Sequence, residues 1–343
     1  MREVSVETAA DYLRSTARVP AAMMMEIEEL TGGVSNVVVL VEMSDGNRWV
    51  LKQSRAQLRT DQLWFSRLDR IWNEASALAL LDSILPPGTV PSVLFEDHAN
   101  YLLAMTCAPE GSEPWKARLL RGEADHDRAK LAGRILGQVH RMTEGDTMLN
   151  RPPLADRTVF DQLRIDPYFR QVARVHVDLG TKIAALVEGL TAPVETTFVH
   201  ADFSPKNMLV HEGGFTVVDF ETAHAGDPAF DLGFFLSHLL LKSFRVAKLG
   251  GDLEAALGRI DAFWRGYLDE VDKTLEDPRV GRGAAYAAVC CLARVDGKSP
   301  VDYLHELDED SVRRFAGEAL LQQDLDWSSL MARARAEMGL AER

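Results

Sequence analysis

The sequence predicts an α+β protein in two lobes: a five-stranded antiparallel sheet plus one helix over residues 1–107, then a mostly helical lobe over residues 108–343. Three observations carry this expectation. At 343 residues the chain exceeds what one hydrophobic core ordinarily serves, so two packed units are expected. The first hundred residues hold β-branched runs cut by Gly and Pro turns, whereas beyond them apolar residues recur at helical spacing. Between the two, an apolar run through Met105 passes into Thr106-Cys107-Ala108-Pro109-Glu110-Gly111, the composition of a hinge.

Residues 5–18 read as a short helix with Ser5 as N-cap. From Met23 the pattern becomes strand, glycine loop, strand, tight turn, strand. Glu26-Ile-Glu-Glu-Leu30 leads into Thr31-Gly-Gly-Val-Ser-Asn36, then Val37-Val-Val-Leu-Val41, the turn Asp45-Gly46 and Trp49-Val-Leu-Lys52. Gly32 and Gly33, with Ser35 and Asn36, form either a loop whose N–H groups meet phosphate oxygens or an ordinary hairpin. Lys52 ends an apolar strand, where a charge is otherwise unwelcome. Residues 70–81 form an amphipathic helix with Ile71, Ala75, Leu78 and Leu81 on one face, and Glu74 on it is the natural ion-pair partner for Lys52. Pro86-Pro87-Gly88 and Pro91 make a rigid turn, and strands over 92–95 and 101–105 complete the sheet.

Helices dominate thereafter. Residues 123–143 place Leu131, Ile135, Leu136, Val139 and Met142 at helical spacing, and a second stretch covers 171–190. Asp227 reads as an N-cap with Pro228 at the first helical position, opening a helix over 232–243, and Asp231 falls where the helix dipole favours an acid. Leu253, Leu257, Ile260, Phe263 and Tyr267 define another helix, followed by helices over 283–295 and 308–322. Residues 293–300 form a polar loop whose Arg294, Asp296 and Lys298 either contact a ligand or line a solvated turn.

The chemistry concentrates in Phe198-Val-His-Ala-Asp-Phe-Ser-Pro-Lys-Asn-Met-Leu-Val210 and Phe215-Thr-Val-Val-Asp-Phe-Glu221. Two short strands joined at Gly213-Gly214 form a hairpin. It sets Asn207 at the start of one strand and Asp219 at the end of its neighbour, both facing one end with Asp202. Two carboxylates and an amide oxygen are hard ligands suited to Mg²⁺ and phosphate. The spacing also matches the arrangement in which one Asp receives a hydroxyl proton while an Asn and a later Asp hold metal, which points to phosphoryl transfer.

The formal charge of −14 excludes nonspecific nucleic-acid binding, which needs a basic face. Apolar content of 46% with 26% charged residues is that of a soluble globular protein, and no apolar run reaches the eighteen residues of a membrane span. The start, Met-Arg-Glu-Val-Ser-Val-Glu-Thr, lacks a signal-peptide apolar region. Three cysteines, with Cys290 and Cys291 adjacent, match neither a disulfide framework nor metal spacing, so reduced thiols and a cytoplasmic location are expected. No pattern marks an oligomeric state.

With Lys52, Glu74, His200-Ala-Asp202 through Asn207, Asp219-Phe-Glu221 and Gly226-Asp-Pro-x-x-Asp231 in order, residues 25–245 resemble the aminoglycoside phosphotransferase and choline kinase superfamily, the small-molecule branch of the protein-kinase-like fold. The resemblance implies ATP and Mg²⁺ in the interlobe cleft, Asp202 near the acceptor hydroxyl, Asn207 and Asp219 on the metal, and Lys52 on the α- and β-phosphates. It also implies that Met105 to Cys107 line the adenine pocket, unless Cys107 only packs. The chain has no G-x-G-x-x-G loop and no room for an activation segment between Asp219 and Gly226, which favours the small-molecule branch. Lys52-Gln53 with Leu58-Arg59 and Trp64, and the run from Gly233 to Leu241, are similar to methylthioribose kinases. Asn207 and Asp219-Phe-Glu depart from that subgroup, whose metal loop begins Asp-Pro-Glu, and the stretch from His200 to Asn207 is also similar to type II homoserine kinases. The implied acceptor is a hydroxyl of a sugar, aminoglycoside or amino alcohol, with Trp64, Glu221 and Arg294 as candidate contacts. The rival is a nucleotide-binding module without turnover, and the intact set of base and metal ligands argues against it.

Overall fold

The computed structural model describes residues 1–30, 35–59, 63–192, 196–275 and 277–340. Gly32 and Gly33 of the expected glycine loop lie outside the described residues. Strands β1 (Met25–Glu29), β2 (Asn36–Met43), β3 (Arg48–Ser54), β4 (Val93–Asp97) and β5 (Leu102–Thr106) form the expected five-stranded sheet in the order β1-β2-β3-β5-β4. All neighbours are antiparallel. The β2–β3 turn closes at Gly46, whose φ of 88° is a conformation glycine adopts without strain.

Each face of this sheet carries a helix. Val37, Val39, Val41, Leu51, Leu102 and Ala104 pack with Tyr12 and Leu13 of α1 (Ala9–Ser15). Leu103 and Met105 instead join Ile71, Ala75 and Leu78 of α2 (Ile71–Asp82) in a core continuous with the helical half. Strand alternation therefore sends Lys52, next to Leu51, toward α2. Helix α1 is shorter than the predicted 5–18 because Ser5 does not cap it. The Ser5 amide donates to Thr8 Oγ1 at 2.8 Å, so the two residues close a turn before the helix begins.

The helical half contains α3 (Trp115–Leu120), α4 (His126–Thr143), α5 (Thr158–Phe160), α6 (Gln171–Val175), α7 (Gly180–Thr191), α8 (Ala229–Leu249), α9 (Leu253–Leu268), α10 (Pro278–Asp296), α11 (Glu309–Leu321) and α12 (Trp327–Glu337). The predicted helix over 171–190 is broken at His176, and α5 runs into α6 through a wider π-helical stretch, Asp161–Arg170. That stretch contains Pro167, which has no N–H to give to a regular α-helical ladder. Helix α10 continues to Asp296, so Arg294 and Asp296 sit on its last turn and not in the polar loop expected at 293–300. Helix α12 was not foreseen, although Asp326 and Ser329 form a capping box at its start.

Short strands thread between the helices. β6 (Glu113–Pro114), β8 (Met208–His211) and β9 (Gly214–Val217) form one ribbon, and β7 (Thr197–Val199) pairs with β10 (His224–Gly226). Behind them α4 and α9 touch backbone to backbone. A Cβ at Gly133 would stand 2.0 Å from the Phe263 carbonyl oxygen, and one at Gly266 only 1.9 Å from that of Lys130. Replacing Gly133 with Ala should destabilise the protein by about 1–3 kcal/mol in urea unfolding, because backbone must move to admit a methyl group. Gly317→Ala in α11, where nothing lies within 4 Å, should instead stabilise by about 0.5–1 kcal/mol. Equal effects of the two substitutions would contradict this packing.

Candidate active site

The loop after β7 is built from backbone held in place by side chains. Ala201 has a φ of 61°, uncommon for a residue with a Cβ, and it is gripped from both sides. The N–H groups of His200 and Ala201 donate to the carboxylate of Asp231 at 2.7 and 2.8 Å, while the Ala201 carbonyl accepts from Arg164 Nε at 2.5 Å. Asp231 is fully buried in the first turn of α8, as its sequence position suggested, and its carboxylate serves the loop as well as the helix start. Asp227 does accept from the Ala229 amide at 3.0 Å, and it also pairs with Arg282.

This loop presents Asp202. One carboxylate oxygen lies 2.9 Å from Arg164 Nη2, and the other accepts from Asn207 Nδ2 at 2.7 Å. His200 Nδ1 accepts from the Asp202 amide at 3.2 Å, and burial keeps this imidazole below its ordinary pKa and neutral. Asn207 ends a 3₁₀ turn, Pro205–Asn207, immediately before β8, and Asp219 follows β9 by two residues. The Val218 amide donates to the Asn207 carbonyl at 3.0 Å, so both residues occupy one end of the hairpin as expected. Asp219 also has a left-handed φ, 71°.

Lys52 reaches this end from the sheet. Its ammonium stands 2.6 Å from Glu74 Oε2 and 2.5 Å from Asp219 Oδ1. Burial alone would push Lys52 down, but the two carboxylates hold its pKa above that of an ordinary lysine. Burial raises Glu74 above the usual carboxylate range. For Asp219 burial acts upward too, and the Lys52 charge overrides it, leaving that carboxyl well below its ordinary value.

A second buried cluster backs the first. Arg70, wholly buried, donates from Nε to Glu221 Oε2 at 3.0 Å and from Nη1 to the Arg67 carbonyl at 2.7 Å. Its Nη2 reaches the Ser35 carbonyl and Asn36 Oδ1. Asn36 Nδ2 donates to the same Glu221 oxygen at 2.7 Å. The side chains of Asn36 and Glu221 are thus bonded to each other, while Glu221 also lines the cavity described next. Arg70 escaped the sequence reading because it looked like an ordinary first residue of a helix.

A cavity of about 140 Å³ opens beside Asp202, lined in part by Ser35, Trp64, Asp219, Glu221 and Arg294. Trp64 is buried with Leu58, Val159 and Leu163, and its indole N–H is spent on the Gln162 carbonyl at 3.0 Å. Ser66 Oγ and the Arg67 amide meet Gln162 Oε1 at 3.0 and 3.1 Å. This segment therefore fastens the sheet half to the helical half as well as walling the cavity. Arg294 points one amino group at Tyr168 and Ser299. Met105 is buried in β5 and Cys107 half-buried just beyond it, apart from this cavity's lining, with the thiol pushed up by burial. Arg164, His238 and Lys242, also in the wall, were missed by sequence reasoning. For Lys242 a signal existed: a lysine interrupting the apolar run from Phe234 to Phe244.

Sheet, helix, cleft and paired lysine together make a protein-kinase-like fold. A model of the phosphotransferase enzyme family matches residues 26–272. Methylthioribose kinase 2 of Oryza sativa subsp. japonica is 25% identical over 297 residues, which span 78% of this chain and 67% of that protein. Among solved structures, an amicoumacin kinase in complex with AMP-PNP, Ca²⁺ and Ami is similar at TM-score 0.55 and 14% identity, covering 98% of this chain and 96% of the other. A choline kinase from Cryptosporidium parvum Iowa II gives TM-score 0.54 at 10% identity, with 97% and 94% covered. A choline/ethanolamine kinase family protein from Mesorhizobium loti gives 0.51 at 17%, again with 97% and 94% covered. At such identities the structural likeness concerns fold alone. The chain belongs to the phosphotransferase enzyme family, and it is a small-molecule kinase. No helix among the described residues is long and apolar enough to cross a membrane.

Lys52→Met would leave Glu74 buried without its cation. Its carboxyl would then stay protonated in the folded state at pH values where the unfolded chain has released the proton. A folded pKa raised in this way gives stability that is present below about pH 4.3 and lost as pH rises. The variant's melting temperature should fall steadily from about pH 5 to pH 8, with a loss of about 3–5 kcal/mol against the parent at the upper end. A variant whose pH profile parallels that of the parent would remove the buried pair from this account.

Proposed function

We propose that the protein transfers the γ-phosphoryl group of ATP, with Mg²⁺, to a hydroxyl of a small molecule. In this reading residues 1–107 are the nucleotide-binding lobe and residues 108–343 the catalytic and substrate-binding lobe. One observation carries it: Lys52 stands 2.6 Å from Glu74 and 2.5 Å from Asp219, Asn207 bonds Asp202 at 2.7 Å, and Asp202 and Asp219 line the same cavity.

Asp202 is the group that receives the acceptor's proton. Both of its oxygens are held in place, one 2.9 Å from Arg164 Nη2 and the other by a hydrogen bond from Asn207 Nδ2. Such a carboxylate orients a hydroxyl and accepts its proton late, which suits phosphoryl transfer through a loose transition state. Lys52, steered by Glu74, supplies a fixed positive charge for the α- and β-phosphates. Ser35 and Asn36 back the phosphate side, and the backbone from Met105 to Cys107 meets the adenine edge.

The donor set fits Mg²⁺. Asn207 spends its NH₂ group on Asp202, which leaves Oδ1 as the ligand atom, and Asp219 adds a carboxylate held ionised by Lys52. Among the described residues no group of three or more His, Cys, Asp or Glu forms a metal cage. Mg²⁺ needs none, since one or two protein oxygens with water and phosphate complete its shell. When bound, the ion neutralises charge on the phosphates.

Asp202→Asn should lower kcat by about 10²- to 10⁴-fold with ATP affinity nearly unchanged, measured by steady-state phosphotransfer and nucleotide titration. Near-normal turnover would remove Asp202 from the role of base. Asp219→Ala should abolish the thermal stabilisation conferred by Mg·ATP. Unchanged stabilisation would take Asp219 off the metal.

A further inference from the structure

Every acid in the cavity wall has a basic partner, but not every base has an acid. Asp202 pairs with Arg164, Asp219 with Lys52, Glu221 with Arg70, and Asp302 with Lys116 at 2.6 Å. Lys242 and Arg294 have no carboxylate within salt-bridge distance among the described residues. Lys206 in the same wall has none either but is exposed, whereas Lys242 is buried and Arg294 half-buried, and in a chain of net charge −14 two such cations need a cause.

Lys242 is the more telling. It is 2% exposed, lies in the cavity wall, and donates only to the carbonyl of His238 one turn earlier, at 3.3 Å. Its ammonium also stands 5.4 Å from the ring centroid of Tyr303, whose own hydroxyl is buried without a partner. Arg294 Nε is likewise buried and unpartnered. A buried ammonium without a counter-charge is costly, and the protein relieves that cost by holding Lys242 far below its ordinary pKa through burial and the neighbouring cations. His238, beside it, is kept neutral by the same burial. Hydrogen-bond donors with few protein acceptors, converging on a cavity, are the complement of an anion.

We propose that Lys242, Arg294 and Tyr303 bind an anionic group, a carboxylate or a phosphate, on the acceptor whose hydroxyl meets Asp202. This rests on the kinase reading above and narrows its substrate class to hydroxylated anions. It disfavours the polycationic aminoglycosides and cationic amino alcohols, which would bring like charge to this wall.

The test uses matched acceptors on one skeleton: glycerol, glycerate and glycerol 3-phosphate, with ribose and ribose 5-phosphate as a larger pair and an aminoglycoside as the cationic arm. Phosphotransfer should favour an anionic member over its neutral counterpart, and the favoured anion tells carboxylate from phosphate. Lys242→Met and Arg294→Met should each lower the anionic-to-neutral ratio of kcat/KM by about 10- to 100-fold. Binding is read separately, without nucleotide, from thermal stabilisation by inorganic phosphate and by glycerate, which both variants should lose. Lys242→Met should itself melt higher than the parent, because it replaces a buried polar group that has only one weak hydrogen bond. Preference for neutral or cationic acceptors, or an unchanged ratio in both variants, overturns the anion site. Anion binding that the variants abolish, with no transfer to any acceptor, would sink the kinase reading and leave the anion site standing.

Discussion

The ammonium of Lys52 is shared between two carboxylates that come from different parts of the chain, and the geometry of the cleft depends on it. Glu74 belongs to the helix on the sheet, and Asp219 to the hairpin in the helical half. Neither acid could sit so deep without the cation, and the cation could not occupy an apolar strand without the acids. The pairing also sets the register of α2 over β3, since a shift of one residue along the strand would turn Lys52 to the opposite face. One charge thus aligns sheet, helix and hairpin, with the Arg70–Glu221 pair reinforcing the same junction from behind.

The loop that carries Asp202 is organised by a complementary principle: strained backbone is stabilised by side chains brought from far along the chain. Ala201 and Asp219 both adopt left-handed conformations. Asp231 satisfies two consecutive N–H groups, and Arg164 takes the following carbonyl while steadying the Asp202 carboxylate. Asp202 is therefore positioned by an arginine from a π-helical stretch and an aspartate from α8, neither of which is adjacent to it in sequence.

This division explains what could be read in advance. The sheet, its turns and the hairpin follow from β-branched runs and glycines, which are local signals, and Lys52 stood out as a charge in an apolar strand. Glu74 stands out because it is the one acid among residues 70–81 of the helix that follows Lys52. Asp231 reads only as a first-turn acid because the 30-residue separation from its partner in the loop leaves no periodic trace. Arg70 and Arg164 resemble surface residues of amphipathic helices until the fold buries them. That Asn36 and Glu221 bond each other has no trace in the sequence, because 185 residues separate them. Helix boundaries slipped where side chains closed turns first, as at Ser5 and Thr8.

The segment carrying Trp64 has a mechanical meaning. The chain passes from sheet to helices near residue 107, and Trp64, Ser66 and Arg67 fasten the same two bodies a second time, to Gln162. A plate held at one point can swivel in any direction, whereas a plate held at two can only rock about the line that joins them. The Lys52–Asp219 and Arg70–Glu221 pairs add further ties between the same two bodies, so the sheet is braced against rocking as well as against swivelling.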